Sequence, residues 1–440
     1  MRACIALKNK TFSTFEAPPI VLILKNTTDP YAALRYPEFV SLITANSLLT
    51  VAVLIQEVVI GYELYKITKD PLSLGFVGLA EALPYISLAL FGGHYADRRD
   101  KRTIMQVSMG LIVLCSFALL WVLRDENLAL IYQNPTWHRI FPVYGILAVI
   151  GFAKGFYSPA VSSFKAFLTP REVYGNAATW SSTFWQTGAI MGPGVAGFLY
   201  AYGGLSRTLW VAIALFLVGF VLISFIAKKP IPEPANDNTD IWTSIREGID
   251  FVWNNKIILY SISLDLAAVL FGGVIAILPV FAEDILKVGP EGLGILRAAP
   301  SVGAVLTIFA TAYANPTQNA WRNMLIAVAG FGLATLVFAV STSFWLSVVM
   351  LFLTGAFDAI SVVVRQTIMQ VIPPDHIRGR VISVNSVFVS SSNEIGAFES
   401  GVAAKLMGTV PSVLFGGALT MVLVTWVWLK SGDLMKTKLR

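Results

Sequence analysis

The sequence predicts an all-α polytopic membrane protein with twelve transmembrane helices in two pseudo-symmetric six-helix halves. Three observations carry this. Of the 440 residues, 56% are hydrophobic and only 13% charged, and the mean hydropathy is +0.69; a soluble domain has about a quarter of its residues charged. Apolar runs near twenty residues long recur along the chain. That is the length of a helix crossing about 30 Å of hydrocarbon, and it is too long for a barrel strand. The cations are also unevenly shared between alternate loops. The odd-numbered loops hold Lys66, Lys69, Arg124, Arg139, Arg207, Lys287 and Lys405, while Lys154, Lys165, Arg297 and Arg365 fall within spans, leaving 21 of 32 cations for the other side. This bias places both termini in the cytoplasm. It also excludes nucleic acid as the reason for the net charge of +6.

Taken in order, residues 1–38 read as a polar, irregular cytoplasmic leader with a short interfacial entry at 32–38. No cleavable signal peptide is expected, because the apolar patch at 18–24 is short and is followed by Lys25, Asp29 and Pro30. The N-terminal half, 39–227, contains predicted spans at 39–65, 73–91, 103–123, 141–168, 177–202 and 208–227. A Pro-rich polar run at 228–238 reads as a linker. Residues 240–255 carry apolar side chains at helical spacing and read as a helix on the membrane surface. The C-terminal half, 257–429, contains spans at 257–282, 291–314, 323–341, 344–371, 381–407 and 412–429, followed by a basic cytoplasmic tail at 430–440.

An internal repeat supports two halves. At an offset of 204, Pro170 matches Pro374, Gly175 matches Gly379, Gly151 matches Gly355, Gly192 matches Gly396 and Gly197 matches Gly401. At an offset of 216, residues 78–84 lie on 294–300. Such duplication is the plan of alternating-access carriers, whose substrate site lies near the midplane between halves.

Between spans 2 and 3 lies Gly92-Gly93-His94-Tyr95-Ala96-Asp97-Arg98-Arg99-Asp100-Lys101-Arg102. Glycine, aspartate and clustered cations at this spacing resemble the signature loop of the major facilitator superfamily of secondary transporters. Gly93, Asp97, Arg98, Lys101 and Arg102 fit the pattern, and Asp100 stands where it has glycine, so the turn is made differently here. The resemblance implies that Asp97, Arg98, Lys101 and Arg102 latch a cytoplasmic gate, with Asp97 against a helix N-terminus. In span 5, Gly188, Gly192, Pro193 and Gly197 resemble the helix-packing motif of the superfamily's antiporters, with Phe198 in place of its last glycine.

Ionisable groups inside a bilayer cost several kcal/mol, which makes each one a functional candidate. Those singled out are Glu57, Glu81, Lys154, Asp265, Arg297, Asp358, Arg365, Glu394 and Glu399. The repeat aligns Lys154 with Asp358 and Glu81 with Arg297, so each half carries a cation where the other carries an anion. Two arrangements satisfy this: pairs across a central cavity that form and separate with gating, or structural pairs inside each half. Glu57 has no cation within a helical turn and is the expected proton carrier, with Gln56 beside it for substrate and Asp265 and Asp358 next. No His lies in a span and no phosphate-binding Gly-x-x-x-x-Gly-Lys-Ser/Thr occurs. A membrane-embedded enzyme, an intramembrane metal and ATP are therefore not expected, nor is any cofactor.

Leu264-Asp265 through Gly273 with Leu278-Pro279-Val280, and Arg378-Gly379-Arg380-Val381, are similar to the bacterial efflux branch of the superfamily that includes the enterobactin exporter and macrolide efflux proteins. The resemblance implies an inner-membrane, proton-coupled exporter of amphiphilic small molecules, siderophores or drugs among them. A monomer whose partners are substrate, protons and lipid is expected. Uptake or lipid movement on the same fold, and a non-transporting scaffold, are the competing readings.

Overall fold

The computed structural model describes residues 29–133, 137–229, 241–313, 316–432 and 434. The leader before residue 29, linker residues 230–240 and most of the tail lie outside the described residues. Among those described the chain is helical, with no strand. Ten helices are long and apolar enough to cross a membrane, and helices satisfy every backbone polar group without water.

Helix α1 (Pro37–Thr68) starts on proline, where a missing N–H costs nothing. It ends at Lys69 in the left-handed region (φ 49°). Asp70 then caps α2 (Pro71–Arg98), its carboxylate accepting from the Leu72 N–H at 3.0 Å. The α2–α3 turn is made by Arg99 and Asp100, both extended. Asp100 accepts from the Arg102 N–H at 3.3 Å and caps α3 (Lys101–Val122). The side chains of Gly93, Asp97 and Arg98 lie outside the described residues.

Next come α4 (Asp125–Gln133), a short helix between predicted spans 3 and 4, and α5 (Trp137–Phe164). Helix α6 (Tyr174–Ser224) joins predicted spans 5 and 6. Its one break is Gly204 at φ 70°, ψ 177°, a conformation open to glycine. Helix α7 (Ile241–Asn254) covers the run at helical spacing and packs on the following helix and on the later helix Asp375–Met407, with an ion pair between Glu247 and Arg380.

Helix α8 (Lys256–Gly272) stops short of the expected 282. Gly273 leaves the helix, and Pro279 cannot donate to its ladder. The chain continues as a 3-10 turn, then α9 (Leu278–Val280) and π-helical Phe281–Ile285. The remaining helices are α10 (Gly289–Tyr313), α11 (Ala320–Val340), α12 (Phe344–Val371), α13 (Asp375–Met407) and α14 (Thr409–Lys430). Helix α13 is 33 residues long but is not one of the ten apolar helices, because Ser, Asn and Glu interrupt it.

Helices α1–α6 pack on one another, as do α8–α14, and two main seams join these groups: α2 on α13, and α6 on α10. Helix α5 packs on α2 and α1 on α6, so α1 and α5 fill the interval between the seams. Small residues close both seams. A Cβ on Gly401 would come within 2.8 Å of the Gly75 Cα, and one on Gly294 within 2.8 Å of the Pro193 carbonyl. Both contacts lie toward the face where α1 ends and α2 begins, called here the distal face. The opposite face carries the start of α1 and the end of α14. There Gly175 and Gly379 have nothing within 4 Å of a built Cβ. Repeat mates occupy matching contacts: Gly192 lies on α1 and Gly396 on α8, while Gly151 lies on the Glu81 carbonyl and Gly355 on that of Pro300.

Alanine at Gly151 or Gly355 would drive its methyl into those carbonyls. Overpacking of this kind costs about 1–3 kcal/mol. Each substitution is expected to lower the thermal melting temperature of the purified protein, whereas Gly175→Ala, which meets nothing, leaves it unchanged. Equal melting of all three would contradict this packing.

Candidate functional site

At mid-depth between the groups lies a cavity of about 110 Å³ lined by Glu57 and Gly61 of α1, Leu74, Val77, Gly78 and Glu81 of α2, Lys154 of α5, Ala276, Pro279, Arg297 of α10 and Ala397 of α13. It gathers four charges. Arg297 donates to Glu57 at 2.6 Å, joining α10 to α1 across the interface. Lys154 pairs with Glu81 inside the N-terminal group. The Arg297 side chain is only 9% exposed, so its partner is what makes its burial tolerable.

These pairings differ from those the repeat suggested. Lys154 meets Glu81 rather than Asp358, and Arg297 meets Glu57 rather than Glu81. Asp358 has no ion-pair partner among the described residues. Glu57 is not an isolated carboxyl: its cation comes from α10, which spacing along α1 cannot reveal. Asp265 is not in this cavity either. It pairs with Arg365 of α12, and both side chains are nearly buried within the C-terminal group. Gln56 is buried and exchanges hydrogen bonds with Ser116 of α3 at 3.3 and 3.4 Å. One residue along a helix turns a side chain by about 100°, so Gln56 faces into its own group while Glu57 faces the other.

The helix-packing residues of α6 divide by partner. A Cβ on Gly188 would reach Thr50 at 3.2 Å and one on Gly192 would reach Leu54 at 2.8 Å, both on α1. Pro193 and Gly197 face Gly294 of α10. Lys101 is buried at the start of α3, with its ammonium 5.4 Å from the Phe167 ring. Arg102 donates to the Ser224 carbonyl at 2.6 Å. Lys101 and Arg102 thus bind within the N-terminal group and do not bridge to the other. The side chain of Glu394 lies outside the described residues.

The bridging groups are at the distal face. Tyr62 donates to Glu283 and Tyr65 to Asp284. Lys69 lies 3.4 Å from Asp284 and 3.7 Å from Glu283, and Lys405 lies 2.8 Å from Asp70. Behind them Glu63, 2% exposed, accepts from Tyr132 at 2.5 Å and also from Tyr200. Burial, with the Glu63 carboxylate beside it, raises the Tyr132 phenol well above its usual range and keeps it a donor. Sequence reading passed over this network. The signal was Glu63 itself, an ionisable residue inside predicted span 1 with tyrosines at 62 and 65.

Several known proteins share this architecture. The family model of the Major Facilitator Superfamily matches residues 39–397. The multidrug efflux pump Tap of Mycolicibacterium fortuitum is 26% identical over 349 residues, covering 77% of this chain and 82% of Tap. The enterobactin exporter EntS of Escherichia coli O1:K1 is 24% identical over 405 residues, 90% of each. Among solved structures, the nucleoside transporter NupG superposes with TM-score 0.69 at 13% identity, covering 91% of this chain and 100% of that one. A bacterial homologue of the iron transporter ferroportin in its inward-facing state gives TM-score 0.69 at 15% identity, covering 92% and 99%. The solved structures establish likeness of fold.

Two outcomes follow from this geometry. Asp265→Asn strands a buried guanidinium, so it is expected to lose about 3–5 kcal/mol of stability, read as a fall in folded yield and melting temperature. Asp265→Leu with Arg365→Met should recover most of it. For the distal bridges, a cysteine at Ala397 in a Cys4→Ser, Cys115→Ser background reports access to the cavity. Lys405→Glu is expected to speed its labelling by an impermeant maleimide from the distal side several-fold, and adding Asp70→Lys should reverse this. Labelling that ignores both changes would deny the pair a closing role.

Proposed function

The chain belongs to the Major Facilitator Superfamily, and from that premise we propose that it is a proton-coupled exporter of amphiphilic small molecules working by alternating access. The carrying observation is the Glu57–Arg297 pair, which ties the two helix groups together beside the central cavity. The distal bridges, which tie the two groups together at that face, support a state closed there and accessible from the face of the termini. The break at Gly204, read as a loop, and the 33-residue α13, read as a span, support a reading of twelve transmembrane helices in two six-helix halves. The cation bias then orients both termini to the cytoplasm of a bacterial inner membrane. The similarity to Tap, an efflux pump, and EntS, an exporter, favours efflux for this chain as well.

In this reading Glu57 is the proton carrier. When a proton neutralises it, the bond to Arg297 is lost and the groups are freed to rock about the cavity. Glu81 and Lys154 stay paired and hold α2 to α5 as one body. Asp70, Glu283 and Asp284 with Lys69 and Lys405 close the distal gate.

The test uses inside-out vesicles energised to an acid interior, with proton leak followed by a pH-sensitive dye during addition of siderophores, macrolides and cationic dyes. Substrate-dependent proton efflux is expected in the wild type and is abolished in Glu57→Gln, which retains substrate exchange without net pumping. No compound-dependent leak from folded protein would remove proton antiport.

A further inference from the structure

A second cavity, of about 570 Å³, lies in the N-terminal group near the face of the termini. It is bounded by the start of α1, the end of α5 and the start of α6, the two helices between the seams and the seam helix beside them. All of its described lining comes from these three helices and the turns that join them. Among the described residues its lining contains one cation, Lys165, and no carboxylate. Lys165 has no ion-pair partner among the described residues. Around it stand the hydroxyls of Ser162, Thr169, Ser181 and Ser182. The Ser181 Oγ is buried without a hydrogen-bond partner, a state that costs about 1–3 kcal/mol unless something supplies one. Trp185 presents an indole that is 50% exposed.

We propose that this pocket is the entry site for the transported molecule and that it selects an organic anion bearing an aromatic ring. An acidic group placed on Lys165 gains a charge-assisted hydrogen bond. A hydroxyl or carbonyl on the ligand satisfies Ser181, and the ring stacks on Trp185. The central cavity makes no such selection, since its two anions and two cations are already paired. A phospholipid headgroup offers the same anion, and the indole of Trp185 favours a ligand that carries a ring. The inference rests on the transport reading and adds the substrate's charge to it.

Equilibrium dialysis of the full chain in phosphatidylcholine nanodiscs tests it, because binding needs no proton gradient. The probes are 4-nitrobenzenesulfonate and 4-nitrobenzyltrimethylammonium. The wild type is expected to bind the sulfonate about tenfold more tightly than the ammonium. Lys165→Gln loses that preference, Lys165→Arg keeps it, and Ser181→Ala weakens sulfonate binding a few-fold. Equal binding of the two probes by the wild type, or an unchanged preference in Lys165→Gln, overturns the proposal. So does displacement of the sulfonate when phosphatidylglycerol is added, which would make the site a lipid headgroup site. Normal binding without proton coupling would sink the transport mechanism alone, and proton coupling without charge preference would sink this site alone.

Discussion

A charge held in hydrocarbon costs several kcal/mol unless a partner is held with it, and the Glu57–Arg297 pair meets that constraint across the interface rather than within a group. Its two members come from α1 and α10, so neither group alone can satisfy both. Helix α1 extends the same logic toward the distal face. Glu57, Gly61, Tyr65 and Lys69 are spaced four apart and form one stripe along the helix. Gly61 lines the cavity, Tyr65 reaches Asp284, and Lys69 reaches Glu283 and Asp284. The opposite side of α1 carries Gln56 and Glu63, seven apart, and both bond within their own group. One helix thus separates the contacts that hold its group together from those that hold the two groups together.

That division explains how much could be read from the sequence. The all-helical membrane class and most of the apolar helices were legible because they depend on hydropathy and local spacing. The glycine matches were legible because Gly151/Gly355 and Gly192/Gly396 must lie against backbone or a close side chain at equivalent crossings. The charged residues could be found by their placement in apolar runs, but their partners could not. Lys154 is 73 residues from Glu81 along the chain, and only helix packing decides that α5 meets α2 there. Asp265 and Arg365 were both singled out and still not joined, because the crossing of α8 and α12 is not periodic in sequence. The Lys165 pocket had no sequence signature at all. It is assembled from scattered serines and one tryptophan on three helices.

The departures in helix geometry fall where the distal contacts are made. Helix α8 gives way at Gly273, and the following π-helical turn carries Glu283 and Asp284. A π turn widens the helix and re-aims its side chains, here toward Tyr62, Tyr65 and Lys69. A regular helix through the same residues would rotate both carboxylates relative to α1. The left-handed Lys69 and the Asp70 cap likewise fix the turn from which Asp70 reaches Lys405.

The sign of coupling in the proposed cycle follows from which bonds each ligand affects. The form open at the face of the termini contains the Glu57–Arg297 pair and the distal bridges. A proton on Glu57 removes the first of these, so it weakens that form relative to one open at the distal face. An anion in the Lys165 pocket gains contacts from a site exposed in the same form, so it strengthens it. Two ligands that favour opposite members of a conformational pair oppose each other's binding by the same factor. Such opposition is the thermodynamic content of antiport. It arises even though the two sites share no residue, with Lys165 near one face and Glu57 more than halfway along α1 toward the other. Direct competition for one charge is not needed. The coupling is carried by α1, which contributes Glu57 to the pair and Phe39 and Asn46 to the wall of the pocket.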